Sequence, residues 1–262
     1  TWALGLMENK EAVAPLVTQL KNADIDMKRE IIQALKMIGD EQAVPALNEM
    51  LLNDKDKFVR YDAARALGCI NSPDSVFALT KALKNDQSWL VKGACAGALG
   101  KTGDNRGINR LKAILNVDVG DESSWARDKA AWALARKGTM GIEALVFSLS
   151  SNGANTRKRS SWALIEIGDP AVPCLISALR DISKFSRERA AMILGWIGNK
   201  KAVIPLSRAL GDREPEVRKM AAWALGKIGE DKAITALEQT LDDQNEGVAE
   251  YAKEAIIRLN YN

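Results

Sequence analysis

Histidine is absent from the 262 residues. That removes the commonest general base near neutral pH, the Ser-His and Cys-His catalytic arrangements and most zinc and iron ligand sets. Carboxylate chemistry stays open, but the chain reads as a binding protein before it reads as an enzyme, and no catalytic, cofactor or metal site is assigned. Cysteine is scarce. Cys69, Cys95 and Cys174 fall inside helical runs at no metal-ligand spacing, and an odd count argues against a disulfide framework. No run approaches the roughly 20 apolar residues needed to cross a bilayer, and no secretion signal opens the chain, so the default location is the cytoplasm with no membrane partner. No stretch alternates as a strand would.

What is present is a large apolar fraction, 47%, beside 27% charged residues, enough to build a continuous core. The net charge of +3 is unevenly spread: residues 117–227 carry 18 Lys+Arg against 12 Asp+Glu, and residues 228–262 carry 3 against 8. A basic middle favours an acidic partner.

One phrase recurs: "IIQALKMIG" (31–39), "DAARALGCIN" (62–71), "GACAGALGKTG" (93–103), "AAWALARKG" (130–138), "SSWALIEIG" (160–168), "AAMILGWIG" (190–198) and "AAWALGKIG" (221–229). Its leucine marks Leu4, Leu35, Leu67, Leu99, Leu134, Leu164, Leu194 and Leu225, with Ile256 in a degenerate last copy, at intervals of 30 to 35 residues. So regular a period predicts an all-α, α-α solenoid of about eight two-helix repeats. A first helix begins after a glycine and an Asp, Glu or Asn, as in "GDPAVPCLISALRD" (168–181), where Asp169 is placed to cap and Pro170 to fill the first turn. The second helix carries the phrase. Neither buries its apolar side alone, so successive repeats must stack.

Seven residues before each marker stands a cation, Lys28, Arg60, Lys92, Arg127, Arg157, Arg187 and Arg218, until Ala249 breaks the series. Thirteen before it stand Asn22, Asp54, Asp86, Asp121, Ser151, Asp181, Asp212 and Asp243. Fixed offsets predict a ladder of charge-assisted hydrogen bonds across the inter-helix turns.

"DKFVRYDAARALGCI" and "EPEVRKMAAWALGKIG" carry the pattern D-x-x-x-x-V-R-x-x-A-A-x-A-L-G-x-I-G. Throughout its length the chain therefore resembles the HEAT-repeat superfamily, and within it the short HEAT-like repeats of phycobilin lyase subunits. The resemblance implies a right-handed superhelix whose second helices line a concave side. The phrases at the two ends predict a single solenoid over 1–262, opening inside a truncated repeat (1–9), as a piece of a longer protein would, and ending in a capping repeat (232–262). Iron hydroxylases built from such repeats use His-Glu ligand pairs, which this chain lacks.

At about 100° per residue, Val217, Ala221, Ala224 and Ile228 form the core stripe of the last full phrase, and Trp223 falls on the opposite side with Lys219 and Lys227. The same register holds Trp2, Trp132, Trp162 and Met192, and elsewhere Gln33, Arg65, Gly97 and Glu254. A column this varied is not core. Trp196 and Trp125 lie near it, Trp125 beside the longest interval, "ILNVDVGDESSWARDK" (114–129), expected to protrude as a loop, and "SSNGANTRKRSS" (150–161) marks the next turn. Aromatics interleaved with cations suit a protein-binding surface; the rings could equally lie flat over alanine-rich helix. The expected contact set is Trp125, Lys129, Trp132, Arg159, Trp162, Arg189, Met192, Trp196, Lys219 and Trp223.

The function so indicated is a scaffold or adaptor holding an acidic, apolar protein or peptide on the concave face. Two alternatives stand beside it: a phycobilin lyase or chaperone-like subunit acting on a pigment protein, and a nucleic-acid-binding or glycosylase-like protein. The last wants a stronger positive stripe than this chain offers.

Overall fold

The structure is a computed structural model and describes residues 9–117 and 120–260. The opening phrase with Trp2 and Leu4, the truncated repeat up to residue 8, and Asp118 and Val119 of the longest interval lie outside the described residues.

The described residues are all-α, with about eight helix pairs in the manner of an α-solenoid. Contacts divide it into two compact units, 1–140 and 141–262. The first unit pairs α1 (Val13–Leu20) with α2 (Ile25–Ile38), α3 (Val44–Asn53) with α4 (Lys57–Ile70), α5 (Val76–Asn85) with α6 (Trp89–Lys101), and α7 (Ile108–Leu115) with α8 (Ser124–Ala135). Helix α9 (Gly138–Phe147) spans the division. The second unit holds α10 (Ala154–Ile167), then α11 (Val172–Ala178) with α12 (Lys184–Ile197), α13 (Val203–Ala209) with α14 (Pro215–Ile228), and α15 (Ile234–Gln239) with α16 (Glu246–Asn260).

The helix boundaries follow local chemistry. Asp24 and Asp56 accept backbone N–H bonds as N-caps of α2 and α4, and Gly229 closes α14 at φ 77°, a left-handed conformation that Asn71 adopts after α4. A short 3₁₀ turn precedes most first helices, capped by Asp40 and Asn199 side chains before α3 and α13. At α11 the expected Asp169 cap is replaced. Gly168, at φ 70° and ψ −136°, is the capping residue, so Asp169 moves into the 3₁₀ turn and accepts a 2.8 Å bond from Asn199. The two polar segments are also more helical than expected: α8 begins at Ser124 and α10 at Ala154, which puts Trp125 in a first helical turn.

Every marker leucine from Leu35 to Leu225 is fully buried, while Ile256 and Ile228 are half-buried. The residue after the marker decides how closely second helices approach. A methyl on Gly68 would stand 2.7 Å from the Ala98 Cβ, and one on Gly100, Gly195 or Gly226 would stand 2.8 Å from the Cα of Ala133, Ala224 or Ala255. Glycine of one repeat thus seats the alanine of the next, backbone against backbone.

The charge ladder forms on four rungs. Lys28 pairs with Asp54 at 2.7 Å, and Arg60, Arg187 and Arg218 each fork onto Asp86, Asp212 and Asp243 of the following turn. The same guanidinium groups donate to carbonyls of their own turn, as Arg218 does to Asp212 O at 2.8 Å. Three expected rungs differ. Lys92 lies over the Trp89 ring. Arg127 binds the carbonyls of Val117 and Gly120, and its next acid position is occupied by Ser151, which has no carboxylate. Arg157 stacks on Phe185, 4.2 Å away, while Asp181 takes the Ser183 N–H. Lys137, buried, plays a related part by donating to Thr102 and Asp104 carbonyls, and its burial pushes the ammonium pKa down.

The Arg218 hydrogen bond draws the Asp243 carboxyl below the usual range against the opposing effect of burial. At Asp212 burial pushes upward, but bonds from Arg187 and the Glu214 N–H prevail and the net shift is downward. Depressed carboxylates stabilise the fold above their unfolded pKa, about 4, and lose that contribution as pH falls through the folded value. Asp243→Asn should cost about 1–3 kcal/mol at pH 7 and flatten the acid limb of stability, read by urea unfolding from pH 7 to 2.5. Gly226→Ala should cost about 1–3 kcal/mol in the same assay, while Gly103→Ala, facing open space, should change little.

Candidate functional site

The face of the second helices away from the marker leucines carries two separate grooves, one in each unit. In the first unit the groove has a volume of about 460 Å³ and is lined by Tyr61 and Arg65 from α4, Gly93, Gly97 and Lys101 from α6, and Trp125, Lys129 and Trp132 from α8. Its floor is the glycine face of α6. A side chain at Gly93 would strike the Trp125 ring at 2.1 Å, so only glycine lets that indole settle. Tyr61 and Trp125 then meet across α6 with centroids 6.3 Å apart. Trp132 rests against Gly100. Cations stand over the rings: Arg65 over Tyr61, Lys129 over Trp125 and Arg136 over Trp132, at 5.0–5.8 Å.

In the second unit a groove of about 360 Å³ lies between α10 and α12, lined by Lys158, Trp162, Ile165, Arg189, Met192 and Trp196. Ile165 occupies the place that glycine takes in the tightly packed pairs, and α10 meets α12 over a narrower contact than α12 meets α14. Arg189 donates to the Met192 sulfur at 3.8 Å, and Lys227 stands over Trp196.

The expected contact residues therefore sort into groups. Trp125, Lys129 and Trp132 come together in the first groove, and Trp162, Arg189, Met192 and Trp196 in the second. Arg159, half-buried, does not line the second groove. Trp223 is half-buried: it lies on Gly195 and packs at 5.6 Å against Trp196. Lys219 turns to the Tyr251 ring of the next repeat rather than to Trp223. Exposure grades the indoles, with Trp162 at 60% and Trp196 at 55% against 39% for Trp125 and 38% for Trp132. Trp223 thus packs over its neighbours, while Trp162 lies mostly in solvent.

Tyr61, Arg65, Gly93 and Lys101 were not among the expected contacts. Their signal was a gap, since Gly93 and Gly97 stand in registers that carry large or charged residues in the neighbouring repeats. Among the described residues no group of three or more metal-ligating side chains gathers, and no helix is long and apolar enough to cross a membrane.

The sequence pattern of HEAT repeats matches residues 1–68, 51–122 and 172–257. The chain belongs to the HEAT-repeat family. A 49-residue stretch of this HEAT-repeat chain is 43% identical to the phycocyanobilin lyase subunit alpha of Picosynechococcus sp. (strain PCC 7002), covering 19% of the chain and 18% of that relative. The match therefore spans less than a fifth of the relative's length. Among solved structures, Kap121p bound to Ste12p is similar at TM-score 0.65 and 13% identity, over 95% of this chain and 33% of that one, which shows the fold. The complex of CpcE and CpcF of phycocyanin lyase from Nostoc sp. PCC7120 is similar at TM-score 0.49 and 19% identity, over 93% of each chain.

Trp162→Ala removes a ring that is mostly in solvent and should change the unfolding free energy by less than about 0.5 kcal/mol. Trp223→Ala strips the cover from Gly195 and Trp196 and should cost about 2–4 kcal/mol. Urea unfolding of the two variants side by side checks this order.

Proposed function

We propose that this HEAT-repeat chain is a partner-binding subunit that docks another protein on the exposed face of its second helices and supplies recognition rather than a reaction centre. The observation that carries this reading is the set of indoles held at the surface under cations, on the outer register of the second helices in each unit. Such rings bring large apolar contact at low entropic cost, and a site of this composition concentrates binding energy. The basic middle of the chain favours an acidic partner, met in the cytoplasm.

Of the forms such binding takes, the lyase-type or chaperone-like subunit acting on a pigment protein has better support than a general adaptor. Its support is the 43% identical segment in a phycocyanobilin lyase subunit. In this role the grooves would hold the pigment protein while its chromophore is placed. Nucleic-acid binding is less favoured, because the cations alternate with indoles in compact grooves rather than forming a continuous stripe.

The purified chain should bind bilin-free phycocyanin with a micromolar Kd that survives 0.3 M salt, and the double substitution Trp162→Ala, Trp196→Ala should weaken it at least tenfold, both read by calorimetry. Failure to bind phycocyanin with or without its bilin would remove the pigment-protein form. A preference for duplex DNA that collapses with salt would remove the protein-binding reading altogether.

A further inference from the structure

Gly97 occupies the variable column of α6, the register filled by Arg65 in the repeat before and Trp132 in the repeat after. A Cβ built there meets only the Lys129 Cδ, at 3.8 Å, so packing does not require glycine at this position. Helix propensity argues against glycine as well, since it is the poorest helix former after proline. Its effect is to leave the floor of the first groove open between the Tyr61–Trp125 pair and Trp132.

The rim of that groove is cationic and unneutralised. Arg65 on α4, Lys101 on α6, Lys129 on α8 and, just beyond the lining at the C-cap of α8, Arg136 over the Trp132 ring form no ion pair among the described residues, and no acidic side chain lines the groove. This contrasts with the turns, where Arg60 is matched to a carboxylate on its neighbour. The four cations sit on, or at the C-cap of, three successive second helices. With neighbouring axes about 8–10 Å apart, they spread over roughly 16–20 Å, the length of about five or six residues of extended chain. A small anion reaches one or two of them; an extended acidic segment reaches all.

We infer that the first groove is a receptor for an extended acidic peptide segment of a partner protein, with one aromatic or leucine side chain inserted over Gly97 and flanking carboxylates on Arg65, Lys101, Lys129 and Arg136. The inference rests on the protein-binding reading above and assigns its recognition element in the first unit. Gly97 is the specificity position, since any larger residue there occupies the anchor's place.

Selection of a phage-displayed random octapeptide library on the full chain tests this. Enriched peptides should carry two or more Asp or Glu around a Phe, Trp or Leu, and as fluorescein conjugates should lose at least tenfold in affinity, by anisotropy, to Gly97→Leu. That variant should melt at or above the temperature of the unchanged chain. Arg65→Gln with Lys101→Gln should weaken binding to a similar degree, and Trp162→Ala with Trp196→Ala, confined to the second unit, should leave it unchanged. Neutral or basic consensus peptides, absence of enrichment, or equal affinity for Gly97→Leu would each overturn the inference. If the selected peptides instead depend on Trp162 and Trp196, recognition lies in the second groove and this assignment fails while the protein-binding reading stands. Loss of phycocyanin binding with peptide binding intact would separate the two in the other direction.

Discussion

The close seating of a glycine in one repeat against an alanine in the next is the constraint on which the rest of the structure depends. At Gly68–Ala98, Gly100–Ala133, Gly195–Ala224 and Gly226–Ala255 there is no room for a methyl group. Second helices that approach this closely gain their stability from dense backbone and Cβ contact, so the large side chains of those helices are not all needed between repeats. Leucine and valine face inward to the first helices, the arginines lock the turns, and the outer register is released from packing.

That release explains why the exposed face can be so varied while the remainder repeats. Where the glycine is kept, the next helix lies close and its indole settles on the glycine shelf, as Trp132 does on Gly100 and Trp223 on Gly195. Where Ile165 replaces it, the next helix does not close in, and a groove lined by Trp162, Ile165 and Met192 lies between the pair. The same few positions therefore set both the packing distance and the display of aromatic rings. Stability and recognition occupy neighbouring registers of one helix, with the turn ladder of Arg60, Arg187 and Arg218 carrying none of the exposed face.

The repeat period, the helix pairs and the marker core could be read directly from the sequence, because each rests on a pattern repeated many times at fixed offsets. The ladder was legible where its partners are unambiguous, at Arg187 and Asp212 for example, and misleading at Arg157, where a neighbouring Phe185 ring competes for the guanidinium. The grooves were only partly legible. Periodicity places Trp125, Trp132 and Trp162 on the outer register, but it does not weigh what the adjacent helix offers, so it does not separate half-buried Trp223 from open Trp162. Gly93 and Gly97 shape the first groove by having no side chain, and an absence gives no hydrophobic signal. Asp169 was misplaced by a single residue because Gly168 adopts a conformation that only glycine reaches with ease.

The central claim is that folding leaves the outer register of the second helices free for a partner. Hydroxyl-radical footprinting of the full chain, alone and with bilin-free phycocyanin bound, tests it most directly. The account predicts rapid oxidation of Trp162 and Trp196 in the free chain, slower oxidation of Trp223, and protection of the first two in the complex, with Phe77 and Phe147 on the first helices unaffected. Protection of Phe77 and Phe147 with the indoles unchanged would contradict it.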